Sequence, residues 1–503
     1  MKYTGKIQLL ALMLLCILLF SSCGSAFEHV YDRDGTGELS VQTQESGEST
    51  PETEPQSAET DTDTAPTQTR GEEEDSKEAE DESQSEEESE SESVSLGEDN
   101  GIIAALLEEG DLPSFHTNKL SLMEAYYKRY YVGALPHSRI IAFALLELYG
   151  TYFKDVIDET DENLVTDALL ACYQQAAGDK YAVYMDKEDL AANKQDFGAE
   201  YTGIGIYVGY HAMENTVQVL NVYENTPASE AGLLPGDYIL AVDGATVEEI
   251  GYYELVNRMR GVAGTSVTLT VSREGRELSF TMVRKHLTGI SVTYRRLAQD
   301  ASIGYVKIEQ FDEHTAEQFK AAIDALQSGG VSALVFDLRN NGGGQISAIV
   351  KVLDYLIADG LPIAHLRYKP GAGNEDEHYF AEDGHSVSLP ITVLCNEYTI
   401  SAAELFAAAL QDHGMATVVG DVTYGKGMAQ AHVEFGDGTG FSISVACYDP
   451  PIGQNYEGKG VIPDIEIALS EEAAKVNSFL REDGIDNQLQ TAVAELNRLR
   501  AAK

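Results

Sequence analysis

Basic residues are scarce in this chain of 503 residues, in which 34 Lys and Arg stand against 83 Asp and Glu, for a formal net charge of −49. A protein that holds a nucleic acid needs a patch of positive charge facing the phosphates, and the sequence contains no such patch. We therefore expect no nucleic-acid partner. The length allows two or three domains.

Cysteine is also sparse. Of the five cysteines, Cys16 and Cys23 lie in an apolar N-terminal segment, and the other three are scattered in apolar contexts at Cys172, Cys395 and Cys447. Three cysteines cannot all be paired, so a disulfide framework is not expected. We interpret these three as small core residues.

Several well-known catalytic motifs are missing. The chain has no Gly-x-Ser-x-Gly nucleophile elbow and no His-Glu-x-x-His zinc motif. Residues 420–426 fit the first part of a phosphate-binding loop, but Gly427 replaces the Ser or Thr that would hold magnesium. Residues 32–37 resemble a calcium loop, but Thr43 stands where its bidentate Glu should be. We expect neither a metal nor a cofactor.

The apolar run at residues 7–20 is short for a membrane span. Lys2 and Lys6 precede it, as in an export signal. The next residues, Ser-Ser-Cys, resemble the end of a bacterial lipobox, in which Cys23 would be lipidated and become the mature N-terminus. Phe20 departs from the usual aliphatic residue, and an uncut anchor or cleavage with release are the alternatives. We expect a lipoprotein on the extracytoplasmic face of a bacterial membrane, or otherwise a secreted protein.

Large apolar residues are almost missing from residues 28–100, which carry about half of the net charge. Such a segment cannot bury enough apolar surface to offset the entropy cost of ordering it. We predict a signal peptide over residues 1–23 and a disordered acidic linker over residues 24–110. The linker would hold the rest of the chain off the membrane while leaving it mobile.

A serine follows a strand-like run at residues 391–395 and opens a helix-like run. Ser401 and Glu404 fit a capping box, so the serine could be only a helix N-cap. It is also placed to be a nucleophile, because a helix N-terminus offers free N–H groups, here that of Ala402, to an oxyanion.

Lys426 and Gln430 follow on the next strand-like run. A lysine acts as a base only when neutral, so burial must lower its pKa from about 10.4. An offset of four brings two side chains together on a strand or a helix, so the amide of Gln430 can orient the amine. With Ser401 as the nucleophile, this predicts a Ser–Lys hydrolase. His432, on the same predicted strand face, is the rival base.

A glycine run, Asn-Asn-Gly-Gly-Gly at residues 340–344, follows the predicted strand at residues 331–339. Backbone N–H groups in such a loop can approach a ligand closely. We predict that Gly343 supplies a second oxyanion donor. A flexible turn is the commoner fate of an isolated glycine run and is the alternative.

These segments resemble the carboxy-terminal processing peptidases, the tail-specific serine proteases with a PDZ domain. The resemblance covers roughly residues 115–470. Gly342 stands where many relatives carry proline, which removes no functional group. The marks of the resemblance are Asp-Leu-Arg-Asn-Asn-Gly-Gly-Gly at 337–344, Ser-Ala-Ala-Glu at 401–404 and Gly-Lys-Gly-Met-Ala-Gln at 425–430.

The resemblance implies an exported serine endopeptidase that recognises polypeptide C-termini and cleaves near them. The resemblance implies that Ser401 is the nucleophile, Lys426 the general base and Gln430 the group that orients the base. Its oxyanion donors fall on the amides of Gly343 and Ala402. The alternative function is a catalytically silent PDZ adaptor that binds peptides on a protease-like core.

The resemblance places a PDZ domain at residues 197–285, with its second helix at residues 247–259. PDZ domains bind a peptide as an added strand and hold its terminal carboxylate with loop amides. The expected partners are proteins or peptides with accessible C-termini. A PDZ domain that acts only as a lid or spacer is the alternative. The loop amides would be those of Gly203, Ile204, Gly205 and Ile206.

The remaining regions complete an α/β architecture in which strand-like and helical runs alternate. We predict an N-terminal helical region over residues 111–196, a protease core over residues 286–475 and a C-terminal helix over residues 476–503. The resemblance makes the core crotonase-like, as in the Clp peptidase. It also implies a possible homodimer through the N-terminal helices or the C-terminal helix. Plain intramolecular packing of these helices is the alternative.

Overall fold

The computed structural model describes residues 98–110, 112–191, 200–211 and 215–502. The predicted signal peptide, the lipidation at Cys23 and residues 24–97 of the predicted linker lie outside these residues. Within the described ranges, no helix has both the length and the apolar character needed to cross a bilayer.

Four helices open the described chain. The last three lie inside the predicted helical region and bury the apolar residues that recur at helical spacing. The predicted linker is wrong for its last residues, because Ile102 and Leu106 are buried in a helix of their own. The elements are α1 (Ile102–Glu109), α2 (Thr117–Tyr130), α3 (Ser138–Tyr152), α4 (Glu162–Ala176) and β1 (Tyr184–Met185).

The PDZ region is a small sheet with its own apolar core. Its elements are β2 (Glu200–Gly203), β3 (Ile206–His211), β4 (Thr216–Val222), α5 (Pro227–Ala231), β5 (Tyr238–Val242), β6 (Ala245–Thr246), α6 (Val247–Ile250), α7 (Tyr252–Met259), β7 (Ser266–Arg273), β8 (Arg276–Val283) and β9 (Lys285–Thr288). The sheet order is β3-β4-β5-β7-β8, which places β3 at an edge. The second helix, predicted as continuous, is broken at Gly251, whose φ of 78° ends α6.

The protease core follows, built on two sheets. Its elements are β10 (Val292–Arg296), β11 (Ile303–Ile308), α8 (Thr315–Ser328), β12 (Ala333–Asp337), α9 (Ile346–Leu356), β13 (Pro362–Tyr368), β14 (Glu377–Phe380), β15 (Ile391–Cys395), α10 (Ala402–Asp412), β16 (Ala416–Gly420), β17 (Met428–Glu434), β18 (Gly440–Asp449), β19 (Ile465–Glu466), α11 (Glu471–Ala474) and α12 (Asn487–Ala501).

The larger sheet of the core has the order β10-β11-β12-β15-β16-β19 and is parallel from β11 onward. Every residue of β12 and β15 is buried, because helices cover both faces of the sheet. The apolar residues of α8, α9 and α10 pack on one face. The second sheet has the order β1-β18-β13-β14, with β17 paired to β18.

The C-terminal helix begins at Asn487, within the region predicted over residues 476–503. Its Leu489 and Leu496 pack against Val335 and Leu394 on the other face of the larger sheet. The chain itself therefore covers the apolar face of this helix.

No disulfide bond joins the cysteines in the described part of the chain. Cys172 and Cys395 are buried, as expected of core residues, whereas Cys447 is only partly buried.

Three loops that leave the parallel sheet carry the predicted chemistry. The glycine run follows β12, Ser401 follows β15, and Lys426 follows β16. Since neighbouring parallel strands end at the same edge of a sheet, these loops emerge side by side.

Candidate active site

Ser401 lies at the start of α10 in a strained conformation, with φ 59° and ψ −119°. Positive φ is rare for a residue with a side chain, and strain of this kind is concentrated at functional sites. The Ser401 N–H donates to Glu404 Oε2 at 2.8 Å. The Ser401 hydroxyl instead lies 3.4 Å from the phenol oxygen of Tyr448. The turn thus presents the hydroxyl to its surroundings rather than to its own helix.

The structure brings Lys426 and Gln430 together. The Lys426 amine donates to Gln430 Oε1 at 2.6 Å. The Gln430 amide N–H group donates in turn to the carbonyl oxygen of Tyr181 at 2.7 Å and to Ser442 Oγ at 3.1 Å. These two bonds hold the amide so that its oxygen faces the amine.

The surroundings of Lys426 favour its neutral form. Burial lowers the pKa of Lys426, although the nearby carboxylates of Asp179, Glu457 and Glu404 oppose this. The pKa of the rival base His432 is also lowered, by burial and by the charge of Lys426. Both shifts favour the neutral form, which is the form that can act as a base.

The carboxylate of Glu404 joins the serine turn to the lysine loop. Its two oxygens accept four hydrogen bonds, from the N–H groups of Ser401, Gly425 and Lys426 and from the hydroxyl of Thr423. Burial raises the pKa of Glu404, and these hydrogen bonds oppose the increase. Four donors fill the lone pairs of a carboxylate, so the arrangement fits the ionised form. The sequence pattern indicated only a capping-box role for Glu404.

The glycine loop lies directly against the serine turn. Gly343 has φ 95°, and a Cβ placed on it would lie 2.7 Å from the carbonyl oxygen of Ile400 and 2.9 Å from the Cβ of Ser401. Only glycine fits such a conformation and approach. The loop therefore needs this glycine in order to reach Ser401.

The two predicted oxyanion donors are in different states. The Gly343 N–H donates to Asn341 Oδ1 at 2.8 Å, and the Asn341 amide is itself held by the carbonyl oxygen of Ile308. The Ala402 N–H has no hydrogen-bond partner within the described ranges. The Ala402 amide is thus open to a substrate oxygen, whereas Asn341 occupies that of Gly343.

The predicted nucleophile and the predicted base are linked through the Glu404 carboxylate, but their side chains have separate partners. Among the described residues, no hydrogen bond links the Ser401 hydroxyl to the Lys426 amine; the first contacts Tyr448 and the second Gln430. Catalytic hydrogen bonds are often long in the absence of substrate and tighten when it binds. The site thus contains a serine hydroxyl and a lysine amine suited to a hydrolase, but the hydrogen bond for proton transfer between them is not formed.

Three further side chains surround the site without having been predicted. The Tyr181 hydroxyl lies 2.7 Å from Glu457 Oε1 and 3.0 Å from the carbonyl oxygen of Gly425, within hydrogen-bond distance of both. Glu457 also accepts the N–H of Gly427. Tyr448, beside the Ser401 hydroxyl, is fully buried. No local pattern in the sequence distinguishes these tyrosines from ordinary core residues.

The predicted peptide loop of the PDZ region borders a cleft of about 410 Å³. Tyr252, Val256 and Met259 of α7 line the cleft with this loop. The four loop residues line it together: Gly203, Ile204, Gly205 and Ile206.

Comparison with known protein families distinguishes the same two parts of the chain, the protease core and the PDZ region. Residues 302–467 match the profile of peptidase family S41, and residues 218–273 match that of a PDZ domain.

Relatives extend this similarity over most of the described chain. The chain is 30% identical over 329 residues to the carboxy-terminal processing protease CtpA of Bacillus subtilis, which covers 65% of this chain and 69% of the relative. It is 33% identical over 314 residues to the carboxy-terminal-processing protease of Bartonella bacilliformis, and this match covers 61% of this chain and 69% of the relative. Against CtpB of Bacillus subtilis it is 28% identical over 322 residues, with 63% and 66% covered. The chain thus spans about two thirds of the length of these relatives.

A solved structure supports the fold. The putative S41 protease from Bacteroides fragilis superimposes with a TM-score of 0.51 at 15% identity, over 76% of this chain and 97% of that one.

The Glu404→Gln variant tests the shared carboxylate. Its amide group turns an N–H towards the existing donors, so the serine turn and the lysine loop lose their common anchor. We expect peptide hydrolysis to fall about 100-fold, the scale of a small misplacement of catalytic groups. The matched control is Glu397→Gln, on an exposed residue of the loop that precedes α10. Wild-type rates for Glu404→Gln would contradict the role assigned to the carboxylate.

A second test compares two adjacent glycines. Gly343→Ala places a Cβ against the serine turn at positive φ, whereas Gly342→Ala meets no atom within 4 Å. We expect Gly343→Ala to lose about 100-fold in hydrolysis through displacement of Ser401, and Gly342→Ala to stay near the wild-type rate. Kinetics and thermal melting of both variants give the measurement. Equal activity of the two would show that the close approach is not required.

Proposed function

This chain belongs to the carboxy-terminal processing proteases of peptidase family S41, serine proteases with a PDZ domain, and from that membership we propose an exported endopeptidase that recognises polypeptide C-termini and cleaves near them with Ser401 and Lys426. The observation that carries the proposal is the Glu404 carboxylate, which holds the serine turn and the lysine loop together. The burial of Lys426 beside a neutral amide supports its role as the base.

The proposed reaction uses groups that already lie at the site. The neutral Lys426 amine accepts the Ser401 proton as the serine oxygen attacks the scissile carbonyl carbon. The negative charge that develops on the carbonyl oxygen is stabilised by the Ala402 N–H, and by the Gly343 N–H once Asn341 releases it. The Lys426 ammonium then protonates the leaving amine. Water, deprotonated by the same lysine, hydrolyses the acyl-enzyme and restores Ser401.

Recognition of C-termini is assigned to the edge strand β3 and the loop before it. An edge strand presents unpaired backbone groups, to which an extended peptide can add as a further strand. The adjacent cleft is lined by apolar side chains of α7, which favours an apolar final residue.

The alternative of a catalytically silent adaptor is favoured by one observation, the open contact between the Ser401 hydroxyl and the Lys426 amine. In that case the chain would bind peptides in the PDZ cleft without cleaving them.

The test is hydrolysis of a flexible polypeptide with an apolar C-terminus from pH 6 to pH 10. Only the neutral amine is active, so the rate rises with pH, and burial centres the rise below the ordinary lysine pKa of about 10.4. Ser401→Ala and Lys426→Ala should each lose at least about 100-fold, while His432→Ala keeps most of the activity. Activity that survives Lys426→Ala but not His432→Ala would move the base to His432. Peptide that binds but is never cleaved would favour the adaptor.

We also propose that export and lipidation at Cys23 anchor the chain to the outer face of the membrane. The support is the sequence: a basic start, an apolar run and Ser-Ser-Cys. Labelled palmitate should enter the wild-type chain and Cys16→Ala, but not Cys23→Ala, which should leave the membrane fraction. Label retained by Cys23→Ala, or no label in the wild-type chain, would contradict the anchor.

A homodimer through the N-terminal helices stays a prediction. Leu107 of α1 and Phe143 of α3 support it, because both expose large apolar side chains.

A further inference from the structure

The cleft that would receive the peptide is not lined by the PDZ region alone. Four residues of the protease core border it: Gly289 and Ile290, and, just after β11, Glu309 and Gln310. Glu309 is held there by its backbone, whose N–H donates to the carbonyl oxygen of Ser291 at 2.8 Å. The core thus contributes an acidic side chain to the recognition cleft.

The Glu309 carboxyl group is incompletely satisfied. Its Oε1 is buried and has no hydrogen-bond partner among the described residues. Its Oε2 lies 4.0 Å from the Lys307 amine, which is engaged elsewhere, with the carbonyl oxygen of Arg339 and, at 3.7 Å, with Asp337. Burial raises the pKa of Glu309. A buried polar atom without a hydrogen-bond partner is destabilising. When such an atom borders a ligand cleft, a polar group of the ligand can supply the missing interaction.

The alternation of β3 decides which part of a peptide meets Glu309. Ile206 and Val208 pack on the PDZ core, on the side of α7. Tyr207 points the other way, where its ring lies 4.9 Å from that of Phe479. Successive side chains of an added strand alternate in the same manner. If the side chain of the last peptide residue enters the cleft beside α7, the side chain of the penultimate residue lies on the opposite side of the added strand, where Tyr207 points.

Glu309 lies near that second side, because its charge adds to the larger effect of burial in raising the pKa of both Tyr207 and Tyr223, which line the same cleft. Arg260 also lines the cleft, directly after the end of α7. Its positive charge opposes the burial that raises the pKa of Tyr201, on the strand that leads into the peptide loop.

We propose that Glu309 makes the protein select substrates whose penultimate residue is Lys or Arg. The inference rests on the proposed function, because it assumes a C-terminus bound along β3. The aliphatic stem of such a residue would lie along the rings of Tyr207 and Tyr223 while its cation reaches Glu309. A penultimate Glu or Asp would instead meet a like charge in a poorly solvated place.

Fluorescent peptides that differ only at the penultimate residue test this selection. The full chain with Ser401→Ala is used, so that binding is measured without cleavage. The series has Lys, Gln or Glu before an apolar C-terminal residue, and the Lys peptide is also made as a C-terminal amide. We expect the Lys peptide to bind about tenfold more tightly than the Gln peptide, as for a partly buried ion pair, and the Glu peptide to bind most weakly.

Substitutions at Glu309 then assign the preference. With Glu309→Gln added to the Ser401→Ala chain, the affinities for the three peptides should lie within about twofold of one another. With Glu309→Lys, the order of the affinities should reverse. Glu224→Gln, an exposed acid that does not line this cleft, is the matched control and should keep the wild-type order. A preference for Lys that persists in Glu309→Gln would overturn the assignment.

The same peptides separate this inference from the proposed function. Equal binding of the Lys, Gln and Glu peptides, with the amide much weaker, would overturn the selection by Glu309 and leave C-terminal recognition intact. Binding of the amide as tight as that of the free acid would overturn C-terminal recognition and the inference with it. Binding of none of the peptides would overturn both.

Discussion

The candidate site depends on one buried carboxylate. Glu404 accepts hydrogen bonds from Ser401 on one side and from Thr423, Gly425 and Lys426 on the other. A buried carboxylate deprived of its donors is strongly destabilising, so each of these contacts restrains the others. The strained serine turn and the lysine loop, which come from different strands, are therefore held as one unit.

The sheet makes this arrangement possible. Neighbouring parallel strands β12, β15 and β16 bring the glycine loop, the serine turn and the lysine loop to the same edge. Helices cover both faces of the sheet, so that apolar burial fixes the strands. Next to the edge, the buried Arg339 pairs with Asp337 and with Asp486 before α12, which ties the C-terminal segment to the loop. In spite of its burial, Asp337 has its pKa held below the usual range by Arg339 and Lys307.

A lysine base surrounded by acids would ordinarily stay protonated. Here the neighbouring carboxylates are engaged by other donors: Glu404 by its four hydrogen bonds, Glu457 by Tyr181 and the Gly427 N–H, and Asp179 by Ser444. The hydrogen bond of the amine goes to the neutral amide of Gln430. Burial can then dominate and lower the pKa of Lys426.

Local patterns in the sequence determined the buried strands, most helices and the pairing of Lys426 with Gln430, because periodicity and short spacings act within one element. The missed helix at residues 102–109 adjoins an acidic stretch whose composition masks its apolar face. Only the tertiary structure decided the three donors that Glu404 binds beyond its capping box, the hydrogen bond between Asn341 and the Gly343 amide, and the place of Glu309 in the PDZ cleft. Apart from the Asn341 contact, these interactions join segments from different elements, and all depend on how the chain folds back on itself.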